Sequence, residues 1–393
     1  MSDNWVLKLG YFDLNQSFVC SSSDGCLRGY HLDNSNTIYK IKAHESTIND
    51  LQVLDLNMVA SCSTDGIKLW DLRTNNSNPV HCLNNSKNSN WLSLAYKNNI
   101  LAGGTELVGA DAEIHLWDIR NPQNIVKSYI DSHRDDITCL KFHPTIDNYL
   151  MSGSTDGYIN IYDMNEQEED DSLHQVITFS SVHSCHFTQT RRIAALSHIE
   201  TLAFYDLNDT KYEELTEKSP NDLGDCRKLF NDCEYVVDIN PRGFIAFGAN
   251  TQRKLTLLPF NPVAELFDQD KPAWFADAHG EEVVRDLLVL PNSKNVLTCG
   301  EDGEVRLWEL PYQLQSFSIS DKVDKFDDDN TNVVNDISNG NDDDMVVDES
   351  IDKKKKDKKD KKDKKDKKKD KKSKIDKKDK KDKKKKEKRF KPY

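Results

Sequence analysis

The chain has 393 residues, 31% of them charged, and a formal net charge of −13, a length that accommodates one large architecture or two average domains. No apolar run approaches the length of a membrane span, and the opening MSDNWVLKLG lacks the basic and apolar regions of a secretory signal. Nine cysteines (Cys20, Cys26, Cys62, Cys82, Cys139, Cys185, Cys226, Cys233 and Cys299), odd in number and without a Cys-x-x-Cys pair, are expected to be free thiols in a reducing compartment.

In chain order, the first patterned element is SSSDGCLRGYHL at 21–32: a strand of small residues, an Asp-Gly turn, then an alternating strand ending in an aromatic. The pattern returns as SCSTDGIKLWDL (61–72), SGSTDGYINIYDM (152–164) and TCGEDGEVRLWEL (298–310). Degenerate copies stand at GADAEIHLWDI (109–119) and SHIETLAFYDL (197–207). Asp-Gly supplies the positive φ of a tight hairpin turn, and the alternation that follows gives a strand with one buried face. Hairpins repeated every 40 to 45 residues or so match the period of one propeller blade. The spacing predicts seven blades near 1–43, 44–84, 85–130, 131–178, 179–218, 219–276 and 277–319. In the sixth, YVVDINPRGFIAFGANTQRKLTLLPF (235–260) has lost both the Asp-Gly turn and the terminal Trp. Blades one and five lack the full polar set described next, so their stability is expected to rest on apolar packing.

Three copies carry that set: His44, Ser61, Asp65 and Trp70; His133, Ser152, Asp156 and Tyr162; His279, Thr298, Asp302 and Trp308. In a four-stranded blade, ring, hydroxyl, imidazole and turn carboxylate can converge as one hydrogen-bonded chain that satisfies buried polar groups. On paper His/Ser/Asp resembles a hydrolase triad. Its recurrence in successive blades beside an aromatic, and the absence of a Gly-x-Ser-x-Gly elbow, argue for a structural role. No catalytic residue, cofactor or metal site is expected. The HSCH run from His183 to His186 has no second ligand pair at finger-like spacing.

These motifs identify residues 1–319 as a member of the WD40 superfamily. AGGTELVGADAEIHLWDIR (102–120), the stretch 133–173 with its acidic run, and the ending at 279–311 are similar to the WD repeat-containing protein 89 family. The resemblance implies an all-β, seven-bladed propeller acting as a non-catalytic scaffold, and it does not cover the rest of the chain.

After Ile319 the composition changes. Residues 320–352, with DDD at 327–329 and 342–344, bury too little apolar surface to fold and are read as an acidic disordered linker. The pairs Val333–Val334 and Val346–Val347 are candidate linear anchors. Residues 353–393 form a Lys/Asp-repeat tail, read as an extended chain. From Asp352 onward basic residues exceed acidic ones by about 17, leaving about −30 on residues 1–351. Four-Lys clusters at 353–356 and 383–386 have the composition of nuclear import signals. The tail is expected to contact RNA weakly and without sequence preference.

The combined expectation is a monomeric scaffold of the nucleus, chiefly the nucleolus, with a cytoplasmic pool. It is expected to serve ribosome assembly by binding basic ribosomal or nucleolar proteins. The alternative is a substrate receptor of a cullin-RING ubiquitin ligase, since two consecutive copies end in W-D-x-R, with Asp71 and Arg73, then Asp118 and Arg120. An enzyme is the remote third reading.

Overall fold

The computed structural model describes residues 4–33, 36–74, 78–208 and 219–319. The readings for 320–352 and 353–393 lie outside these residues. The Asp-Gly turns form as their chemistry requires. Gly25 has φ +72°, and a Cβ there would stand 2.2 Å from the His44 carbonyl oxygen. The Gly25 carbonyl accepts from the N–H groups of Ala43 and His44, at 2.9 and 3.0 Å, which ties the turn to the start of the next blade.

Among the described residues, twenty-eight strands assemble into seven antiparallel sheets, at 6–42, 50–83, 91–133, 137–178, 182–225, 235–276 and 284–309. Within each sheet but the sixth the strands pair in chain order, and the first strands of successive sheets contact one another around a ring. This is a seven-bladed β-propeller. Blade six lacks the Asp-Gly turn but keeps the ladder. Its long third strand, Lys254–Asn261, pairs with Phe244–Ala249 on one side and with two separate outer pieces on the other. Blade five reaches further than the spacing indicates. Its outer strand is Asn221–Asp225, which the 40-residue period assigns to blade six.

Apolar side chains bury between blades rather than within them. Seven clusters form, one at each seam. The cluster between blades seven and one (Val6, Leu9, Phe18, Cys20, Leu290, Leu297 and Cys299) has seven buried members among the described residues, whereas the others have nine to thirteen. Polar groups near the axis add a second set of links. Asp50 accepts from Leu94 N (2.8 Å), Ser93 Oγ donates to Ile137 O (2.8 Å), and Thr138 Oγ1 donates to Val182 O (2.7 Å). Further round, Ser184 Oγ donates to Asp238 (2.8 Å), Val284 N to Tyr235 OH (2.9 Å), and Leu9 N to Asp286 (2.8 Å).

Blade seven has three strands among the described residues and the others have at least four. After Glu309 the chain turns away from the seventh blade's edge. Tyr312 and Leu314 pack on the blade six–seven cluster, Phe317 N donates to Arg242 O at 3.2 Å, and Ile319 reaches the blade four–five cluster. Gly243, at φ +121°, makes room for this strap, because a Cβ would lie 2.7 Å from Gln315 O. Among the described residues the ring therefore closes by packing, by Asp286 and by the Arg285 guanidinium 5.7 Å from the centre of the Trp5 ring, with no strand shared between its two ends.

Asp286→Ala leaves Leu9 N without its acceptor at the smallest seam. It should cost about 1–3 kcal/mol, read from the midpoint of urea unfolding. An unchanged midpoint would remove Asp286 from the closure.

Candidate interaction surface

All three polar sets converge. In blade two Trp70 Nε1 donates to Ser61 Oγ (2.9 Å), whose hydroxyl is then free to donate to His44 Nε2 (2.7 Å), and His44 Nδ1–H points at Asp65 (2.5 Å). That tautomer follows from the donor order. Blade seven repeats it: Trp308 to Thr298 at 2.9 Å, Thr298 with His279 at 2.8 Å, and His279 with Asp302 at 2.7 Å. In blade four His133 meets Ser152 (2.6 Å) and Asp156 (2.9 Å), while Tyr162 OH pairs mainly with Ser132 (2.8 Å). The three imidazoles are at most 2% exposed. Burial pushes His44 and His279 below the ordinary imidazole range. A hydroxyl sealed between an indole and an imidazole has no access to a substrate, so the geometry fits a scaffold and not a nucleophile.

Blades one and three, which lack the set, carry substitutes that the repeated motif does not contain. In blade one Asp24 accepts from Ser22 Oγ (2.5 Å) and pairs with Arg28. In blade three the buried Glu113 accepts from Asn85 Nδ2 and bonds His115 Nε2, both at 2.7 Å, and Lys87 closes its other oxygen at 2.7 Å. His115 Nδ1 meets Ser128 Oγ at 2.7 Å. The sequence signal is the pair Glu113 and His115, two residues apart on one face of a strand whose interior is otherwise apolar.

Antiparallel alternation puts the Asp-Gly turns and the blade-to-blade loops at the same end of the propeller. That end carries Glu45, Asp135, Asp136, Glu281, Glu282 and Glu304, none of which has an ion pair among the described residues. The acidic run Glu168–Asp171 belongs to the opposite end, between the third and outer strands of blade four. Part of it is structural, since Glu169 accepts from Ile130 N and Asp131 N at 2.7 and 3.0 Å.

The two W-D-x-R pairs also sit at that opposite end, on adjacent blades. Asp71 holds Arg73, and Asp118 holds Arg120, each by contacts of 2.9 and 2.6 Å, with the arginine side chains 68% and 69% exposed. Asp225 and Arg227 make a similar pair without a preceding Trp, so the pinning is a local property of Asp-x-Arg.

The channel face carries Lys8, Lys141, Asp50, Asp238 and Asp286, which compensate one another. Burial disfavours the Lys8 ammonium, but Asp286, Asp50 and Asp238 together hold its pKa above the usual lysine range. Of the HSCH run, His186 bonds Asp238 at 2.9 Å and His183 lies edge-on to His198. No group of three or more His, Cys, Asp or Glu among the described residues is placed to hold a metal ion.

The sequence model of the WD domain, G-beta repeat family matches residues 124–163 and 271–309. A WD repeat-containing protein of Saccharomyces cerevisiae is 44% identical over 316 residues, covering 78% of this chain and 79% of that protein. One from Schizosaccharomyces pombe is 30% identical over 312 residues, covering 76% and 93%. The WD repeat-containing protein 89 homolog of Dictyostelium discoideum is 27% identical over 305 residues, covering 74% and 79%. Fold, repeats and relatives together define a WD-repeat propeller, the class of protein–protein interaction scaffolds that are generally non-catalytic. The chain belongs to the WD-repeat family and stands near WD repeat-containing protein 89.

Replacing Asp302 with Ala removes the acceptor for His279 and should cost about 1–3 kcal/mol by urea unfolding; an unaltered midpoint would contradict this. Acid should weaken the same chains. With His44 and His279 held below 6.5 in the fold, the unfolded chain takes up protons first. Their stabilisation is complete above pH 6.5 and is lost as pH falls below it. Unfolding midpoints compared at pH 7.5 and 5.5 should drop on acidification, and by less in a His44→Gln/His279→Gln variant. Equal drops in both proteins would exclude these imidazoles as the cause.

Proposed function

We propose that the propeller is a nuclear, chiefly nucleolar, scaffold in ribosome assembly that holds a basic protein at its Asp-Gly end. The observation that carries this is the cluster of acids at that end without ion pairs among the described residues, on a propeller whose charge opposes that of the Lys-rich tail. Complementary charge raises association rate and specificity more than raw affinity. The same charge repels free nucleic acid, so RNA contact is assigned to residues 353–393, with steep salt dependence. A second reading, the cullin-RING substrate receptor, is favoured by one observation: Arg73 and Arg120 are exposed in matching geometry on neighbouring blades.

Affinity capture of the full-length protein separates the two readings. Basic ribosomal or nucleolar proteins should be recovered, and their recovery should fall when Glu281, Glu282, Asp135 and Asp136 are replaced by Lys. Recovery of a ligase adaptor and cullin, abolished by Arg73→Ala/Arg120→Ala, would replace the first reading with the second. Deleting residues 353–393 should abolish nucleolar enrichment and RNA binding while leaving the propeller folded. Retained nucleolar enrichment would move the address onto the propeller.

A further inference from the structure

The outer edge of blade seven differs from every other third strand in the ring. Its third strand, Val305–Glu309, pairs with Asn295–Gly300 on one side and has no partner strand on the other among the described residues. Leu310 N donates to Lys294 O, so by antiparallel alternation Trp308 and Arg306 face the inner neighbour. The N–H and C=O groups of Val305, Leu307 and Glu309 therefore point outward. Side-chain exposure shows what a fourth strand does elsewhere. Leu69 and Ile161, at the position of Leu307 in blades two and four, are 1% and 0% exposed, whereas Leu307 is 48% exposed. Beside this edge lies a cavity of about 370 Å³, bounded by Phe18, Arg28 and Tyr30 of blade one and by Glu304 and Val305 of blade seven.

We propose that this edge takes an extended segment of a partner protein as the missing fourth strand of blade seven. Main-chain groups of Val305, Leu307 and Glu309 would supply the ladder, the β-augmentation mode of peptide recognition. In that register the residues opposite Val305 and Leu307 share their face; the first enters the cavity against Phe18 and Tyr30 and the second packs beside the exposed Leu307 side chain, so both are apolar. Glu304 and Glu309 bracket the strand, are exposed, and have no ion pair among the described residues. They select Lys or Arg at the two ends of the segment. The occupant is thus a basic-flanked strand with two apolar residues spaced two apart. Its charge rests on the proposed binding of basic proteins; the open ladder does not.

The test uses the full-length chain and a fluorescent octapeptide, Lys-Lys-Val-Thr-Val-Thr-Lys-Lys, with an otherwise identical peptide flanked by Glu. The Lys peptide should bind at least tenfold more tightly than the Glu peptide. A photo-crosslinker replacing one of its Val residues should label residues within 18–30 and 303–309. Leu307→Lys should weaken binding at least tenfold while the melting temperature stays unchanged, because the side chain is half exposed. Failure of both peptides to bind would overturn the open edge and leave the acidic-end reading standing. Equal binding of both would overturn the basic occupant and count against that reading too. If binding appeared only on dilution, or only after removal of residues 320–393, the edge would belong to a second copy or to the chain's own tail, and the proposal would be wrong.

Discussion

In this molecule the sequence repeat and the blade are one strand out of phase. The repeat matched at 271–309 begins in the outer strand of blade six, Ala273–Ala276, and ends on the third strand of blade seven. Each repeat therefore staples two neighbouring blades covalently. Among the described residues such stapling does not reach the last seam: the ring runs from an inner strand, Val6–Phe12, to a third strand, Val305–Glu309, and no described segment belongs to both blades seven and one. Among the described residues the seam is held without shared backbone, by the smallest apolar cluster of the seven, by Asp286, which accepts from Leu9 N and faces Lys8, and by Arg285 over the Trp5 ring. A closed seam is also the condition for the other six, because each blade buries its apolar faces only against its neighbours.

Within the blades a second constraint operates. Tightly packed sheets leave a hydroxyl, an imidazole and an indole in a dry place, where an unmet donor costs more than a met one contributes. Blades two and seven solve this with the same chain of partners, blade four keeps the hydroxyl, imidazole and carboxylate but turns Tyr162 to Ser132, and blade three uses Glu113, His115, Asn85 and Lys87. Lys87 has a largely solvent-facing side chain, yet its ammonium closes a carboxylate that is only 7% exposed. The chemistry differs while the requirement, partners for a buried imidazole and its carboxylate, is unchanged.

The seven-bladed ring was legible because its turns need residues of one kind: Asp-Gly with positive φ, then alternation. The polar sets were legible because hydroxyl, Asp and aromatic keep fixed offsets on adjacent strands. Blade five's outer strand was misplaced because Asn221–Asp225 follows an unusually long connection and carries no period-two apolar pattern. The distribution of acids between the two ends depends on strand direction, which composition does not reveal. The open edge of blade seven was hidden for a similar reason, since TCGEDGEVRLWEL reads like its siblings. Among the described residues, the path of 311–319, away from the edge and under blades six and five, leaves Leu307 uncovered.

If the seam between blades seven and one is the one place held without shared backbone, the ring should open there first. Native-state hydrogen exchange across a series of sub-denaturing urea concentrations measures the opening free energy of each strand. The account predicts that amides of Val6–Phe12 and Val284–Val289 exchange through a low-energy local opening, while those of Trp91–Lys97 and Ile137–Phe142 exchange only on global unfolding. Uniform protection around the ring, or a first opening between blades three and four, would contradict it.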